Sequence, residues 1–367
     1  MSNRRSLRVA FFTTDNPLGH SGIDRYTSDL LRELVKRSDL QVVPVASSQG
    51  AAMLRECVPD VQDLIVTKAA EGPLRSVEER YGLGRQLASA QLDVVHGTKH
   101  ILPRVVPCPT VLTVYDLFAF TRRRDYRWSK RLLLPMVYRR SMTQADRIIA
   151  LSHSIRQQVV ARGLVAETKI DVVPAAVSSV LATVAPEAIS ALTDVPFALC
   201  VGDLSPRKNV ELLLRILPAV HRQTGLMLAL VGPDRSRSES MRAGLAALER
   251  AGVVVRAGGV SDGALRWCYE HAEVVLIPSL EEGYGLPAIE ARHFGAALVT
   301  SRDPALVEVS GDAALHLDGT DAGAWERAIV ASIGSRGEHA SAATLATWTE
   351  IAEQTADVYH RAASAVR

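Results

Sequence analysis

Short runs of β-branched and aliphatic residues alternate with longer amphipathic stretches along the whole chain. That rhythm predicts parallel strands covered by helices on both sides, since a strand buried on both faces has no polar face to show. Arg8–Thr13, Gln41–Ala46, Asp93–His96, Thr110–Tyr115, Arg147–Leu151 and Ile170–Val173 read as one set of strands, with helices such as Ile23–Arg37 and Trp128–Met142 between them. The rhythm weakens across Ser178–Asp194 and restarts at Phe197–Val201, followed by Met227–Val231, Val253–Arg256, Val274–Pro278 and Ala297–Thr300. Helices are expected over Lys208–Arg222, Ser238–Ala251, Asp262–His271, Pro287–Phe294 and Trp348–Ala363. With 367 residues and roughly 100–200 per domain, two α/β domains are expected, each a doubly wound parallel sheet. Their expected bounds are 1–185 and 186–346, with 347–367 as a final helix. Two such domains would face each other across a cleft, with ligands at the carboxyl ends of the strands.

Charge sharpens that division. The formal net charge is only +2, but residues 1–180 carry +9 and the remainder −7. The basic half is suited to an anionic neighbour. Cys57, Cys108, Cys200 and Cys268 form no paired spacing, which reads as reduced thiols in a cytoplasmic protein. The apolar run after the basic first residues stops at Thr13, too short for a secretion signal, and no segment approaches the roughly 18 apolar residues of a membrane span.

Two segments carry chemistry. In Pro278-Ser-Leu-Glu-Glu-Gly-Tyr-Gly-Leu-Pro-Ala-Ile-Glu290 a buried strand runs into a loop with two glycines, and Pro287 opens a helix. Gly283 and Gly285 let backbone amides approach a ligand, and a helix N-terminus favours a phosphate. Glu282 and Glu290 can both turn toward that site, where carboxylates accept hydrogen bonds from hydroxyls; a solvated surface loop is the plainer alternative. In Val201-Gly-Asp-Leu-Ser-Pro-Arg-Lys-Asn-Val210, Arg207 and Lys208 stand where a helix is expected to begin. The helix dipole disfavours cations there, so a diphosphate is one reason for them and simple solvation the other.

Together these segments make the sequence resemble retaining glycosyltransferases of family 4. Glu282 and Glu290 reproduce the family's E-x7-E pattern, and Gly202 with Arg207-Lys208-Asn209 its phosphate-binding turn. Asp93-Val-Val-His-Gly, Thr113-Val-Tyr-Asp-Leu117, Ala145–Ser152, Asp171–Pro174 and Asp303–Glu308 occur in the family's order. The resemblance implies the GT-B fold, with the C-terminal helix packed back on the N-terminal domain. It implies a hexosyl group moved with retention from a nucleoside-diphosphate sugar, UDP-, GDP- or ADP-linked, without metal or other cofactor. Arg207 and Lys208 would bind the diphosphate and stabilise the leaving group. Glu290 would hold the ribose, and Glu282 the transferred sugar, with Gly283, Tyr284, Gly285 and Leu286 beside it. Val260 would lie against the base.

Two departures fall in the acceptor-binding half. The first-domain loop, Gly19-His-Ser-Gly-Ile-Asp-Arg-Tyr26, keeps Gly22 but has Ser21 and Asp24 where many relatives have glycine. Asp24 is read either as an acceptor-binding carboxylate or as a cap on the following helix. Tyr115-Asp116 replaces the family's frequent His-Asp, and a phenol, neutral near pH 7, cannot serve as an imidazole acid or base. Asp116 remains a candidate catalytic and acceptor-binding residue, with Tyr115 beside it.

The basic run from Arg122 to Arg140, interleaved with aromatic and apolar residues, suits a peripheral contact with anionic lipid on the inner face of the membrane. The acceptor is expected to be a glycan, a lipid-linked glycan or a small molecule. A catalytically weak nucleotide-sugar-binding partner of another transferase is the alternative function. Nothing in the chain carries a nucleic-acid reader motif or a dinucleotide-binding GxGxxG turn.

Overall fold

A computed structural model describes residues 5–14, 16, 19, 21–68, 72–126, 128–234, 238–335 and 345–365. His20 and Arg127, which belong to the loop and the basic run singled out above, lie outside the described residues. The chain divides into two compact units, 1–176 together with 346–367, and 177–345. The division falls ahead of residue 185 because Val177, Leu181 and Leu192 are packed into the core of the second unit.

The first unit is a seven-stranded parallel sheet. Its strands are β1 (Leu7–Phe12), β2 (Leu40–Ser47), β3 (Ile65–Thr67), β4 (Val94–Gly97), β5 (Thr110–Val114), β6 (Arg147–Ala150) and β7 (Ile170–Val172), in the order β3-β2-β1-β4-β5-β6-β7. Its first helix, α1 (Gly22–Leu34), follows β1, and α2 (Trp128–Gln144) precedes β6. The second unit has six parallel strands, β8 (Phe197–Val201), β9 (Met227–Val231), β10 (Val254–Gly258), β11 (Val274–Ile277), β12 (Ala297–Ser301) and β13 (Leu315–Leu317), ordered β10-β9-β8-β11-β12-β13. Between them run α3 (Val210–Thr224), α4 (Glu239–Arg250), α5 (Asp262–His271), α6 (Leu286–His293) and α7 (Pro304–Ser310). Both orders start in the middle and wind outward in two directions, the doubly wound pattern.

The strand cores are aliphatic because both faces are covered. Val9, Ala10 and Phe11, like Val274, Val275 and Leu276, have no exposed surface. Helices lie on both sides of the second sheet, so its apolar side chains form one cluster around α3 and α4 and another around α5 and α6. The edge strands β3 and β13, each three residues long and part-exposed, are not among the expected strands.

The last helix, α8 (Trp348–Ser364), belongs to the first unit. Thr347 and Glu350 close a capping box at its start, and Trp348, Ile351, Ala352, Ala356, Tyr359 and Ala362 are buried against α1, β4, β5 and β6. A polar pin sits under this apolar face. His96 on β4, wholly buried, lies 2.7 Å from the Tyr359 hydroxyl through Nδ1 and 2.7 Å from Thr113 Oγ1 through Nε2. Burial lowers the His96 pKa to about 3, so the ring is neutral and each nitrogen has one role, donor or acceptor.

Candidate active site

In the second unit the winding reverses between β8 and β11, and the loops leaving their carboxyl ends diverge there. This is where an open α/β sheet binds a ligand. The turn after β8 holds Gly202, Arg207 and Lys208; the loop after β11 holds residues 278–285 and enters α6. Gly202 has φ +138°, and a Cβ on it would press to 3.0 Å from Lys208 Cε. Gly232, at the end of β9 with φ +140°, lies behind it, and a Cβ there would overlap the Gly202 carbonyl oxygen. Glycine at both positions lets the strand ends close on one another. Gly202 N donates to Val231 O and Gly232 N to Gly258 O, both at 2.8 Å. A cavity of about 270 Å³ opens at these strand ends, lined by Gly202, Leu204, Gly232, Asp234, Arg256 and Gly258 among others.

Arg207 and Lys208 do not open the helix, contrary to the sequence reading. Pro206–Lys208 forms a separate 3-10 turn, Asn209 takes a left-handed conformation with φ 51°, and α3 starts at Val210. The cations therefore precede the N-cap instead of forming the first helical turn, and the Glu282 carboxylate, which both of them meet, offsets their charge beside the helix N-terminus. Asn209 also joins distant loops: its side-chain amide donates to Pro278 O at 3.1 Å and to Gly319 O at 2.9 Å. Leu280 N donates to Arg207 O at 2.7 Å, so the loops after β8 and β11 are stitched backbone to backbone.

Across that seam lies Glu282, 7% exposed. Lys208 Nζ is 2.5 Å from its Oε1, and Arg207 NH1 is 3.3 Å from its Oε2. Burial alone would raise the Glu282 pKa, but the charges of Lys208 and Arg207 outweigh it and hold the carboxyl below its ordinary value. Asp303, the N-cap of α7, is the opposite case. It accepts from Ala305 N at 3.0 Å and Leu306 N at 3.3 Å, and the Glu282 backbone also faces it. Burial, with the nearby Glu282 charge, nonetheless raises its pKa to about 6.

Gly285, with φ +103°, starts α6, and a Cβ there would meet Leu306 Cδ2 at 2.8 Å. Gly283 is buried beside it, while Tyr284 and Leu286 are half-buried. Glu290, 5% exposed, lies on the second turn of α6, and its Oε2 accepts from the Tyr269 hydroxyl at 2.7 Å. Val260 is half-buried in the loop after β10 and packs against the α5–α6 cluster.

In the first unit the equivalent reversal lies between β1 and β4. Ser21 caps α1 by accepting from Asp24 N at 3.2 Å, and its hydroxyl donates to Asp24 Oδ2 at 2.5 Å. The helix cap is thus Ser21. Asp24 is the reciprocal first-turn acid rather than the cap, and Gly22 is the exposed first residue of α1. Tyr115, at the end of β5, is buried edge-on against Tyr26 and His100, with ring centroids 5.2 and 5.6 Å away. Asp116 is half-buried and accepts from Phe118 N at 3.0 Å. His100, with φ 60°, stacks on Tyr138 at 4.6 Å and brings Nε2 to 3.2 Å from the Tyr115 amide. Among the described residues no three His, Cys, Asp or Glu side chains gather as a metal ion would require.

These two sites can be set beside known proteins. Residues 20–179 match the family described as Glycosyltransferase Family 4, and residues 195–334 match Glycosyl transferases group 1. The chain belongs to glycosyltransferase family 4. It is 25% identical over 382 aligned residues to O-antigen chain mannosyltransferase B of Escherichia coli, covering 96% of this chain and 99% of the relative. Sucrose-phosphate synthase from Thermosynechococcus elongatus superposes with a TM-score of 0.66 at 20% identity, over 98% of this chain and 100% of that one. Anabaena HepE in complex with UDP-glucose superposes with a TM-score of 0.68 at 14% identity, over 98% and 99%. The fold is accordingly GT-B, and the chain is a glycosyltransferase.

Within this family member, Gly202, Arg207, Lys208, Glu282, Gly283, Gly285 and Glu290 are brought to neighbouring loops and helix turns of one unit. In the other, Gly22 and Asp24 lie in the first turn of α1, and Tyr115 and Asp116 follow the end of β5. Sequence reasoning missed Tyr269, His100 and Gly232 as site residues and gave Asp303 no role. Tyr269 lies in an amphipathic stretch that reads as ordinary core, and its bond to Glu290 spans 21 residues that only the packing of α5 on α6 brings together.

Proposed function

We propose that this glycosyltransferase moves a hexosyl group, with retention, from a nucleoside-diphosphate sugar to an acceptor hydroxyl. The observation that carries the reading is Glu282, buried and bridged to Lys208 and Arg207 at the reversal of the second sheet. Two cations held on one carboxylate are ready for a diphosphate, whose oxygens would take over their hydrogen bonds and leave Glu282 to accept from sugar hydroxyls. The relative named as a mannosyltransferase and the neighbour holding UDP-glucose favour a nucleotide-linked hexose.

In this mechanism the bond between the anomeric carbon and the diphosphate oxygen breaks, its electron pair leaving with the phosphate. Arg207 and Lys208 stabilise that developing charge, an electrostatic contribution of the kind worth about 2.7–4 kcal/mol per donor in the oxyanion holes of acyl-transfer enzymes. The acceptor oxygen attacks the same face, and its proton passes to the departing phosphate oxygen. Glu290 holds the ribose, Val260 faces the base, and the backbone from Gly283 to Leu286 lines the sugar. Gly22, Asp24 and Asp116 bind the acceptor, with Tyr115 supporting them from the core.

A membrane role accompanies this reading. On α2, Trp128, Leu132, Leu133 and Met136 are exposed, Trp128 to 80%, and Lys130, Arg131, Arg139 and Arg140 are exposed around them. A helix surface with bare apolar side chains ringed by cations suits an anionic lipid surface and hence a lipid-linked acceptor. Among the described residues no helix is long and apolar enough to cross a membrane. Flotation with anionic vesicles at low salt tests this contact, and absence of binding overturns it.

The activity is tested by a thermal-shift panel of UDP-, GDP- and ADP-sugars, followed by transfer assays with the best donor. Release of nucleoside diphosphate, with a product of the donor's anomeric configuration, is expected. An inverted product overturns retention, and no release with any donor overturns the transferase reading.

A further inference from the structure

We infer that Tyr269 is a positioning residue for donor recognition: through Glu290 it sets how tightly the enzyme distinguishes a ribose from a deoxyribose in the nucleotide it binds. The inference rests on the reading of Glu290 as the ribose-binding carboxylate.

A glutamate side chain has three rotatable bonds, and a carboxylate that must meet a ribose hydroxyl in one direction loses affinity in proportion to its freedom. Tyr269 restricts that freedom from the neighbouring helix. Its side chain is wholly buried, and its hydroxyl donates to Glu290 Oε2 at 2.7 Å. Its ring lies almost parallel to that of Phe294, with centroids 5.8 Å apart and 14° between the planes. Phe294 is one turn beyond Glu290, and its backbone N–H donates to Glu290 O at 3.1 Å. Tyr269 thus clasps two successive turns at the end of α6, the ring fixing its own place and the phenol fixing the carboxylate.

The clasp is itself held. Arg266, one turn before Tyr269 on α5, lies over the other neighbour of this stack, with its guanidinium carbon 5.7 Å from the Phe294 centroid. Arg266 Nε also donates to Glu270 at 2.7 Å, and its NH1 to Ala182 O and Val184 O at 3.0 and 2.8 Å. The phenol is therefore aimed by its stacking on Phe294, a ring that Arg266 covers in turn. A hydrogen bond to a carboxylate is the strong kind, and it rigidifies Glu290 without adding charge to the ribose site.

The experiment is calorimetric binding to the full chain of UDP, GDP and ADP and of their 2′-deoxy and 3′-deoxy counterparts, for wild type, Tyr269→Phe, Glu290→Gln and the double variant. Wild type is expected to favour a ribonucleotide over one of its deoxy forms. Glu290→Gln should largely abolish that preference. Tyr269→Phe should lower it about three- to tenfold while affinity for the deoxy form stays close to wild type, and should add little in the double variant. Equal weakening of ribo and deoxy forms by Tyr269→Phe, or no weakening, overturns the inference. So does a Tyr269→Phe chain that melts below the assay temperature, since the hydroxyl is then structural. A preference that survives Glu290→Gln overturns the ribose reading of Glu290, and the Tyr269 inference with it.

Discussion

Lys208 and Glu282 form a buried ion pair, and the half-buried Arg207 shares the same carboxylate, which stands between two cations. Removing one partner from such a group leaves an uncompensated buried charge, which costs about 3–5 kcal/mol. Glu282→Gln is therefore expected to lower the melting temperature by several degrees and to reduce kcat, while the affinity for free nucleoside diphosphate holds or rises. Thermal melts and product-inhibition constants check both halves. Glu282 and Asp303 also respond oppositely to pH. Glu282 holds its proton less tightly than in the unfolded chain, so its stabilisation is present above the usual carboxylate range and is lost as pH falls through its depressed folded value. Asp303 holds its proton more tightly, with a folded pKa of about 6 against an ordinary 3.8. Its contribution is full below about pH 4 and is lost as pH rises to about 6. Asp303→Asn should flatten that fall in unfolding free energy between pH 4 and 6, as measured by urea titrations across the window. Glu282 is legible as a candidate site residue because its spacing to Glu290 is a pattern along the chain. Asp303 and Tyr269 are not, because each acts on a residue about 20 positions away through the packing of loops and helices.

Among the elements, the long strands and several helices were legible to within a few residues, since buried parallel strands write an uninterrupted aliphatic run, whereas the helices Ser48–Cys57, Gly72–Tyr81 and Ala322–Ser332 were not read. Asp262–His271 and Phe197–Val201 match the expected bounds. The exceptions have local causes. The part-exposed edge strands β3 and β13 were not read, and the start of α3 is displaced because Asn209 adopts φ 51° between the 3-10 turn and the helix. The pin between β4 and α8 illustrates what an element-level reading misses: His96 reads as part of a motif, yet its partner Tyr359 lies 263 residues on. Tyr359→Phe leaves one buried ring nitrogen without its partner, and such a loss costs about 1–3 kcal/mol. Chemical denaturation should show that drop in the first unit with donor binding intact.

At the scale of the molecule, the expected pair of domains is present, but the chain crosses from one unit to the other at 176/177 and returns at 345/346. Removal of residues 346–367 should strip the cover from α1, β4 and β5 and abolish the cooperative melt of the first unit. The melt of residues 177–345 should survive in the same calorimetric trace. A single transition lost as a whole would show that the two units fold as one.

That return of the chain has a consequence for how the protein is made. A ribosome adds roughly 5–20 residues per second, so the first unit's sheet emerges and then waits while the 169 residues of the second unit are synthesised before α8 can seal it. The second unit is continuous in sequence and can close as soon as β13 and the helix after it have emerged. The half encoded first is therefore finished last, and for many seconds Tyr26, His96 and their aliphatic neighbours depend on chaperones or on transient collapse for shelter.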